Sequence, residues 1–328
     1  MVGRVTHADR PAMTVTPFRL DDRQLRTRAL IARLAPLEGY NLTALPHVRL
    51  LRCNRPLEHT PVLYDPGIVV VCQGRKRGYW GDQVYVYDAQ HYLVVSIPVP
   101  FTMATDASEE EPLLAIYFHL DFELAGELML QLDEHQAPEA APPRGMYASP
   151  MDVGLRDSVL RLLEALASPL EGVMLGPGLV REIYFRILLG DQGGSMRAAL
   201  NGQGRFGRIS RAIRMIHRQY ADPLDVETLA REANLSAPTF HAHFKAVTRT
   251  SPMQYLKSTR LHQARLLMLR NGVQVSSVAG AVGYESLSQF SREFKRLFGR
   301  SPTEEVARMR VAFALPAPEP GSIYVASH

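Results

Sequence analysis

The chain has 328 residues, 46% of them hydrophobic and 21% charged, with a formal net charge of +4. That length exceeds one ordinary core and suffices for two domains, and the balance is that of globular protein, not of a disordered chain. No apolar run approaches the ~20 residues of a membrane span, Met1 to Asp22 lacks the apolar core of a signal peptide, and two cysteines are too few for a disulfide framework or a cysteine-rich zinc site.

The net charge hides an asymmetry. Residues 205–310 hold 18 Lys and Arg against 8 Asp and Glu, an excess of +10; the totals of 37 and 33 leave 19 basic and 25 acidic groups elsewhere, or −6. A basic C-terminal third behind an acidic front predicts one part that meets a polyanion and one that does not.

In chain order, residues 1–22 read as a disordered tail. Between His47 and His119, short apolar runs recur at close spacing: Ile68–Cys72, Val84–Tyr87, Tyr92–Ile97 and Leu113–Phe118. Such spacing predicts an antiparallel sandwich or barrel. Leu155, Val159, Leu162, Leu163 and Leu166 then repeat at helical spacing, as do Leu179, Val180, Ile183, Ile187 and Leu188. These helices are predicted to cover the barrel, to form a homodimer interface, or both, and residues 23–190 form one unit. Gln136–Arg144, with three prolines, reads as a loop, and 191–207, with five glycines, as a flexible linker. Residues 208–310 read as helical throughout and 311–328 as a second disordered tail.

The helical third contains an internal repeat. Phe240-His241-Ala242-His243-Phe244-Lys245 matches Phe290-Ser291-Arg292-Glu293-Phe294-Lys295, and Ser251-Pro252 matches Ser301-Pro302, both at an offset of fifty; Leu229-Ala230 matches Val278-Ala279 at forty-nine. Each copy, at about 226–247 and 275–297, reads as helix, tight turn, helix, with Ser236 and Ser286 as N-caps and Gly283 at the second turn. Phe at i and i+4 marks the buried face of each second helix. Opposite it lie the candidates for reading base edges: Pro238, His241 and Ala242 in the first unit, Leu287, Ser288, Ser291 and Arg292 in the second. Arg292 has the planar fork that matches guanine O6 and N7. Lys245, Lys295 and Arg296 are the phosphate candidates. Between the units, an 18-residue helix in Pro252–Arg270 would span ~27 Å, close to the ~34 Å of one duplex turn.

These residues resemble the AraC/XylS family of regulators: Asp222-Pro223-Leu224 through Ser251-Pro252-Met253-Gln254-Tyr255-Leu256, then Ala264-Arg265-Leu266-Leu267, Gly283-Tyr284-Glu285-Ser286 and Gln289-Phe290-Ser291-Arg292-Glu293-Phe294-Lys295. Thr60–Ile68, Gly74, Lys76, Gly78-Tyr79 and Tyr87-Asp88 are similar to an N-terminal domain type of that family. The resemblance implies an α+β, two-domain protein, with a cupin-like β-barrel and flanking helices followed by an all-α tandem helix-turn-helix domain. It implies a transcription factor acting on double-stranded promoter DNA, commonly an activator that contacts RNA polymerase, with a small-molecule effector and dimerisation assigned to the front half; the lack of a membrane-length apolar run and of a signal-peptide core predicts a cytoplasmic protein.

Within the barrel region, Cys53 and Cys72 are candidate redox or electrophile sensors, with Arg75, Lys76 and Arg77 as cations able to lower the Cys72 pKa; buried cysteine as a small hydrophobe is the competing reading. Arg75-Lys76-Arg77 is also a candidate anion site, against a solvated turn between strands. His47, His59, His91 and His119 show no metal-ligand spacing, and His241 and His243, at i and i+2 of a helix, point apart. No metal or cofactor is predicted. The alternative function, a cupin-like metal-dependent enzyme with an accessory helical domain, lacks a nucleophile motif, a phosphate loop and a metal triad.

Overall fold

A computed structural model describes residues 21–134, 144–200, 204–271 and 275–312. The front half opens on helix α1 (Asp22–Leu34), capped reciprocally by the Asp21 side chain and Gln24. Residues Asp21 and Asp22, expected in the tail, therefore belong to this helix; the rest of that tail lies outside the described residues. Ten strands follow: β1 (Gly39–Leu42), β2 (Val48–Cys53), β3 (Leu57–Tyr64), β4 (Gly67–Gln73), β5 (Arg75–Trp80), β6 (Gln83–Asp88), β7 (His91–Val95), β8 (Val99–Asp106), β9 (Leu113–His119) and, after α2 (Phe122–Glu134), β10 (Met146–Pro150). They pair antiparallel in the order β1-β2-β9-β4-β7-β6-β5-β8-β3, with β10 beside β7.

The sheet curls into a cupin-like half-barrel because its two faces bury different partners. Val69, Val71, Leu93, Val95, Ala115 and Tyr117 point into the barrel, while Val70, Cys72, Val94, Leu114, Ile116 and Phe118 pack outward under helices. With both faces covered, β4 and β9 read as continuous apolar runs; β6, covered only inside, turns Tyr87 inward and leaves Val84 and Val86 exposed. The covering helices are α1, α2, α3 (Val153–Leu166) and α5 (Gly176–Leu189), with the short α4 (Pro169–Met174) between the last two.

The stretch 191–207 departs from the expected flexible linker. It holds α6 (Gly193–Leu200) and the first turn of α7 (Gly204–Gln219), leaving 201–203 outside the described residues. Burial outweighs glycine's poor helix propensity there: Ser195 and Met196 are fully buried, and Ser195 Oγ accepts a hydrogen bond from the Arg144 amide at 3.0 Å.

The remaining helices are α8 (Val226–Glu232), α9 (Ala237–Thr248), α10 (Pro252–Asn271), α11 (Val275–Ala281), α12 (Leu287–Phe298) and α13 (Pro302–Ala312). Val311 and Ala312, expected in the C-terminal tail, close α13; the rest of that tail lies outside the described residues. No helix among the described residues is long and apolar enough to cross a membrane.

Candidate nucleic-acid interface

The two repeat copies fold alike down to single hydrogen bonds. In the first, Leu229, Ala230 and Ala233 are buried, Asn234 takes φ +53°, and the Leu235 amide donates to the Ala230 carbonyl at 2.9 Å. In the second, Val278, Ala279 and Val282 are buried, Gly283 takes φ +85°, and the Tyr284 amide donates to the Ala279 carbonyl at 3.0 Å. This is a left-handed helix ending with a six-to-one bond. The extra residue of the second turn is Glu285, between Tyr284 and the N-cap Ser286. Ser286 Oγ accepts from the Gln289 amide at 3.3 Å, as an N-cap should. Ser236 occupies the N-cap position but donates instead to Thr239 Oγ1 at 2.9 Å, so its expected capping bond is not made.

Each second helix is anchored by its phenylalanine pair. Phe240, Phe244, Phe290 and Phe294 are fully buried, with ring centroids 5.4 Å apart in the first pair and 5.5 Å in the second. That anchoring sets which face remains open. Pro238, His241, Ala242 and Lys245 are exposed on α9, and Leu287, Ser288, Arg292, Lys295 and Arg296 on α12; Ser291 is half-buried. Among the described residues no hydrogen bond or ion pair engages the Arg292 guanidinium. Glu293, the one acid on α12, is neutralised. It accepts from Lys257 Nζ at 2.8 Å and from Tyr284 Oη at 2.8 Å, contacts that hold its carboxyl below the usual range against the opposing effect of burial.

The α10 helix that joins the units has 20 residues, ~30 Å at 1.5 Å per residue. It is fixed to both. Arg260 donates to the carbonyls of Tyr220, Asp222 and Gly283, tying α10 to the loop before α8 and to the second turn. Arg265 is buried against Glu305 of α13 at 3.3 Å and over the Phe298 ring, 4.5 Å from its centroid. Burial lowers the Arg265 pKa to about 10. Separate, loosely joined readers would need no such bracing.

Sequence reading overlooked a basic stripe on α7. Arg205, Arg208, Arg214 and Arg218 are exposed along it, and Arg211 is half-exposed. At ~100° per residue Arg208, Arg211, Arg214 and Arg218 fall within about 120° of one another on one helical face, and Arg205 lies at its edge. The signal was legible as periodicity, but the first of these residues had been assigned to a linker.

The same helical third docks on the barrel. Tyr255 of α10 donates to the Pro98 carbonyl at 2.6 Å, and His217 Nε2 lies 2.9 Å from the Tyr255 hydroxyl. Because the phenol proton is committed to Pro98, the His217 ring nitrogen is the donor in that second bond. Burial holds His217 at a pKa of about 4, so the ring is neutral. Arg265 reaches the Pro61 carbonyl at 2.9 Å. Arg249 sits in the left-handed region at φ +62°, where the second copy has Gly299, and its side chain approaches Asp82 at 3.3 Å and the Trp80 ring.

The effector-site candidates fare differently. Cys53 and Cys72 are both buried, and burial raises both thiols, that of Cys72 to about 12. Arg75, Lys76 and Arg77 do not activate Cys72: it faces the helix-covered side of the sheet, where Arg28 is the cation that partly offsets its burial. A thiolate sensor needs an exposed, lowered thiol, so the sensor expectation is corrected. Nor is the basic run a turn. It forms strand β5, on which Arg75 and Arg77 point outward to Asp88 and Asp106 while Lys76 points into the barrel, 2% exposed. Among the described residues no three His, Cys, Asp or Glu side chains converge as metal ligands.

Comparison with known proteins covers both halves. Residues 44–195 match the family model of the AraC-type transcriptional regulator N-terminus, and 229–308 that of a helix-turn-helix domain. The chain is 34% identical to the HTH-type transcriptional regulator AlkR of Acinetobacter baylyi over 94 residues, 29% of this chain and 31% of AlkR. It is 26% identical to the HTH-type transcriptional activator RhaS of Shigella sonnei over 236 residues, 68% of this chain and 81% of RhaS. The match therefore spans only about a third of AlkR, though most of that RhaS. Among solved structures, wild-type ToxT of Vibrio cholerae, bound to an unsaturated fatty acid, superposes with a TM-score of 0.55 over 86% of this chain and 100% of ToxT at 11% identity, a likeness of fold.

Proposed function

Because the chain belongs to the AraC/XylS family of regulators, we propose that it is a cytoplasmic, sequence-specific DNA-binding transcription factor whose barrel half responds to a small-molecule effector. The observation that carries this reading is the pair of turns closed by the same six-to-one bond, each presenting an open helix face, on the braced rod α10. In this reading α12 reads base edges through Arg292 and Ser288, with Ser291 at the margin, and Leu287 supplies apolar contact. On α9, His241 is the hydrogen-bonding reader, and Pro238 and Ala242 offer only shape and apolar contact, as to a thymine methyl. In the same reading Lys245, Lys295, Arg296 and the α7 arginines neutralise the phosphates that flank those grooves. Docking of α10 and Arg249 on the barrel gives an effector a physical route to the readers, through the relative stability of docked and released forms. Promoter activation, with contact to RNA polymerase, and homodimerisation complete the proposal.

Selection of bound sequences from a random duplex pool tests it. The expected outcome is enrichment of two short blocks about one helical turn apart. Recovery of unenriched sequence would overturn sequence-specific reading.

A further inference from the structure

Lys76 is the charged side chain that the barrel least explains. On β5 its neighbours Arg75 and Arg77 face outward and meet Asp88 and Asp106, so the acids of this region are spent outside. Inside, Lys76 Nζ donates to Tyr64 Oη at 3.2 Å, and Tyr64 in turn donates to Met103 Sδ at 3.2 Å. Among the described residues no carboxylate pairs with this ammonium. A buried charge without a counter-ion is costly, and proteins keep one where a partner arrives from outside or chemistry requires it.

Strand register places two more donors beside it. Lys76 pairs with Tyr87 across β6 and with Thr105 across β8, which puts all three on the interior face. Tyr87 Oη and Thr105 Oγ1 are buried without a hydrogen-bond partner; Tyr87 Oη lies near the Tyr64 hydroxyl without adopting hydrogen-bond geometry. Native structures satisfy most such groups, so two orphans flanking an ammonium that meets no carboxylate among the described residues are informative. The missing element common to all three is an acceptor. One oxygen of a carboxylate would meet Lys76 and the other Tyr87 or Thr105, a charge-assisted set. The surrounding wall is apolar and aromatic, with Val62, Phe101, Met103 and Leu113. Such a wall matches a hydrocarbon body, and the one ammonium of Lys76 balances the one negative charge of a carboxylate.

The geometry points to Lys76, with Tyr87 and Thr105, as the interior site of a monocarboxylate effector with a small apolar body. This rests on the reading of the barrel as the effector-sensing half, and it names the chemistry that half selects. The exposed run Arg75 and Arg77 takes no part.

The single tryptophan, Trp80, lies on the same interior face of β5 and reports occupancy by its fluorescence. The full-length protein is titrated with hexanoate and cyclohexanecarboxylate, and with hexanamide and hexan-1-ol as neutral counterparts. A saturable change with at least one carboxylate is expected, at least tenfold tighter than with the neutral probes. Lys76→Met should weaken it at least tenfold and Thr105→Val severalfold. Lys76→Met should also raise the melting temperature, since it removes an uncompensated buried charge and keeps its volume. Three results would overturn the proposal: no response to either carboxylate, equal response to acid and alcohol, or full binding by Lys76→Met. A fall in melting temperature for that variant, with no carboxylate response in the parent, assigns Lys76 to structure alone. The titration contains no DNA, so its outcome is separate from that of the duplex selection.

Discussion

At the scale of single residues, charge placement separates reading from holding. Arg292 is exposed and unengaged among the described residues, whereas Arg260 and Arg265 spend their donors on carbonyls, and Arg265 also on Glu305. Replacing Arg292 by Ala should leave the melting temperature unchanged and relax base preference at one position, by ~1–3 kcal/mol in relative duplex affinity. An unaltered preferred sequence would remove it from the reading face. Glu305→Ala, by contrast, strands the buried Arg265 guanidinium and should cost ~3–5 kcal/mol in denaturant unfolding. His217 gives a pH signature. Its folded-state pKa of about 4 lies below the ordinary 6.5, so the unfolded chain takes up its proton first as pH falls. The stability it contributes as a neutral ring is fully present above about pH 6.5 and is lost as pH falls toward 4, on the order of 3 kcal/mol in all. A His217→Gln variant should show a shallower acid dependence of unfolding by up to one proton; an identical slope would contradict the buried neutral ring.

At the scale of elements, the sequence was most legible where one physical pattern occurs twice. The Phe pairs, the turn residues and the Ser-Pro helix starts recur at a fixed offset, so each copy tests the other. Phe290→Ala should cost ~3–5 kcal/mol by leaving a cavity under α12. What was not legible depended on facing and on long-range burial. The residues Arg75-Lys76-Arg77 carry no marker of which side turns inward; only register with Tyr87 and Thr105 decides it. The glycines of 191–207 suggested a loop because the burial of Met196 is a tertiary fact. Arg249 was passed over for the same reason. Its left-handed backbone costs about 1 kcal/mol and its ion pair with Asp82 is exposed, worth ~0–1 kcal/mol. Arg249→Gly should therefore change unfolding stability by no more than about 1 kcal/mol while shifting Trp80 fluorescence, because the guanidinium leaves the indole ring. A large loss of stability with unchanged fluorescence would contradict that role.

At the scale of the whole molecule, the acidic front and basic third translate into a barrel half with a helical half docked on it. Docking was not visible in the sequence, because Tyr255, Pro98, Arg265 and Pro61 carry no pattern that pairs them across so many intervening residues. The charge excess was visible, and it predicts that the logarithm of duplex affinity falls linearly with the logarithm of salt, by ~0.9 per neutralised phosphate. Reversing two α7 charges, Arg208→Glu with Arg214→Glu, should flatten that slope and weaken all duplexes alike; a change confined to the preferred sequence would assign α7 to base reading instead. The claim on which the rest depends is that one chain holds two readers a fixed distance apart along α10. Hydroxyl-radical footprinting of the full-length protein, on a duplex recovered from the random pool, tests it most directly. The account predicts two protected patches per protein chain, on one face of the duplex and about 10 base pairs apart; a single patch per chain, or two whose spacing drifts from duplex to duplex, would contradict it.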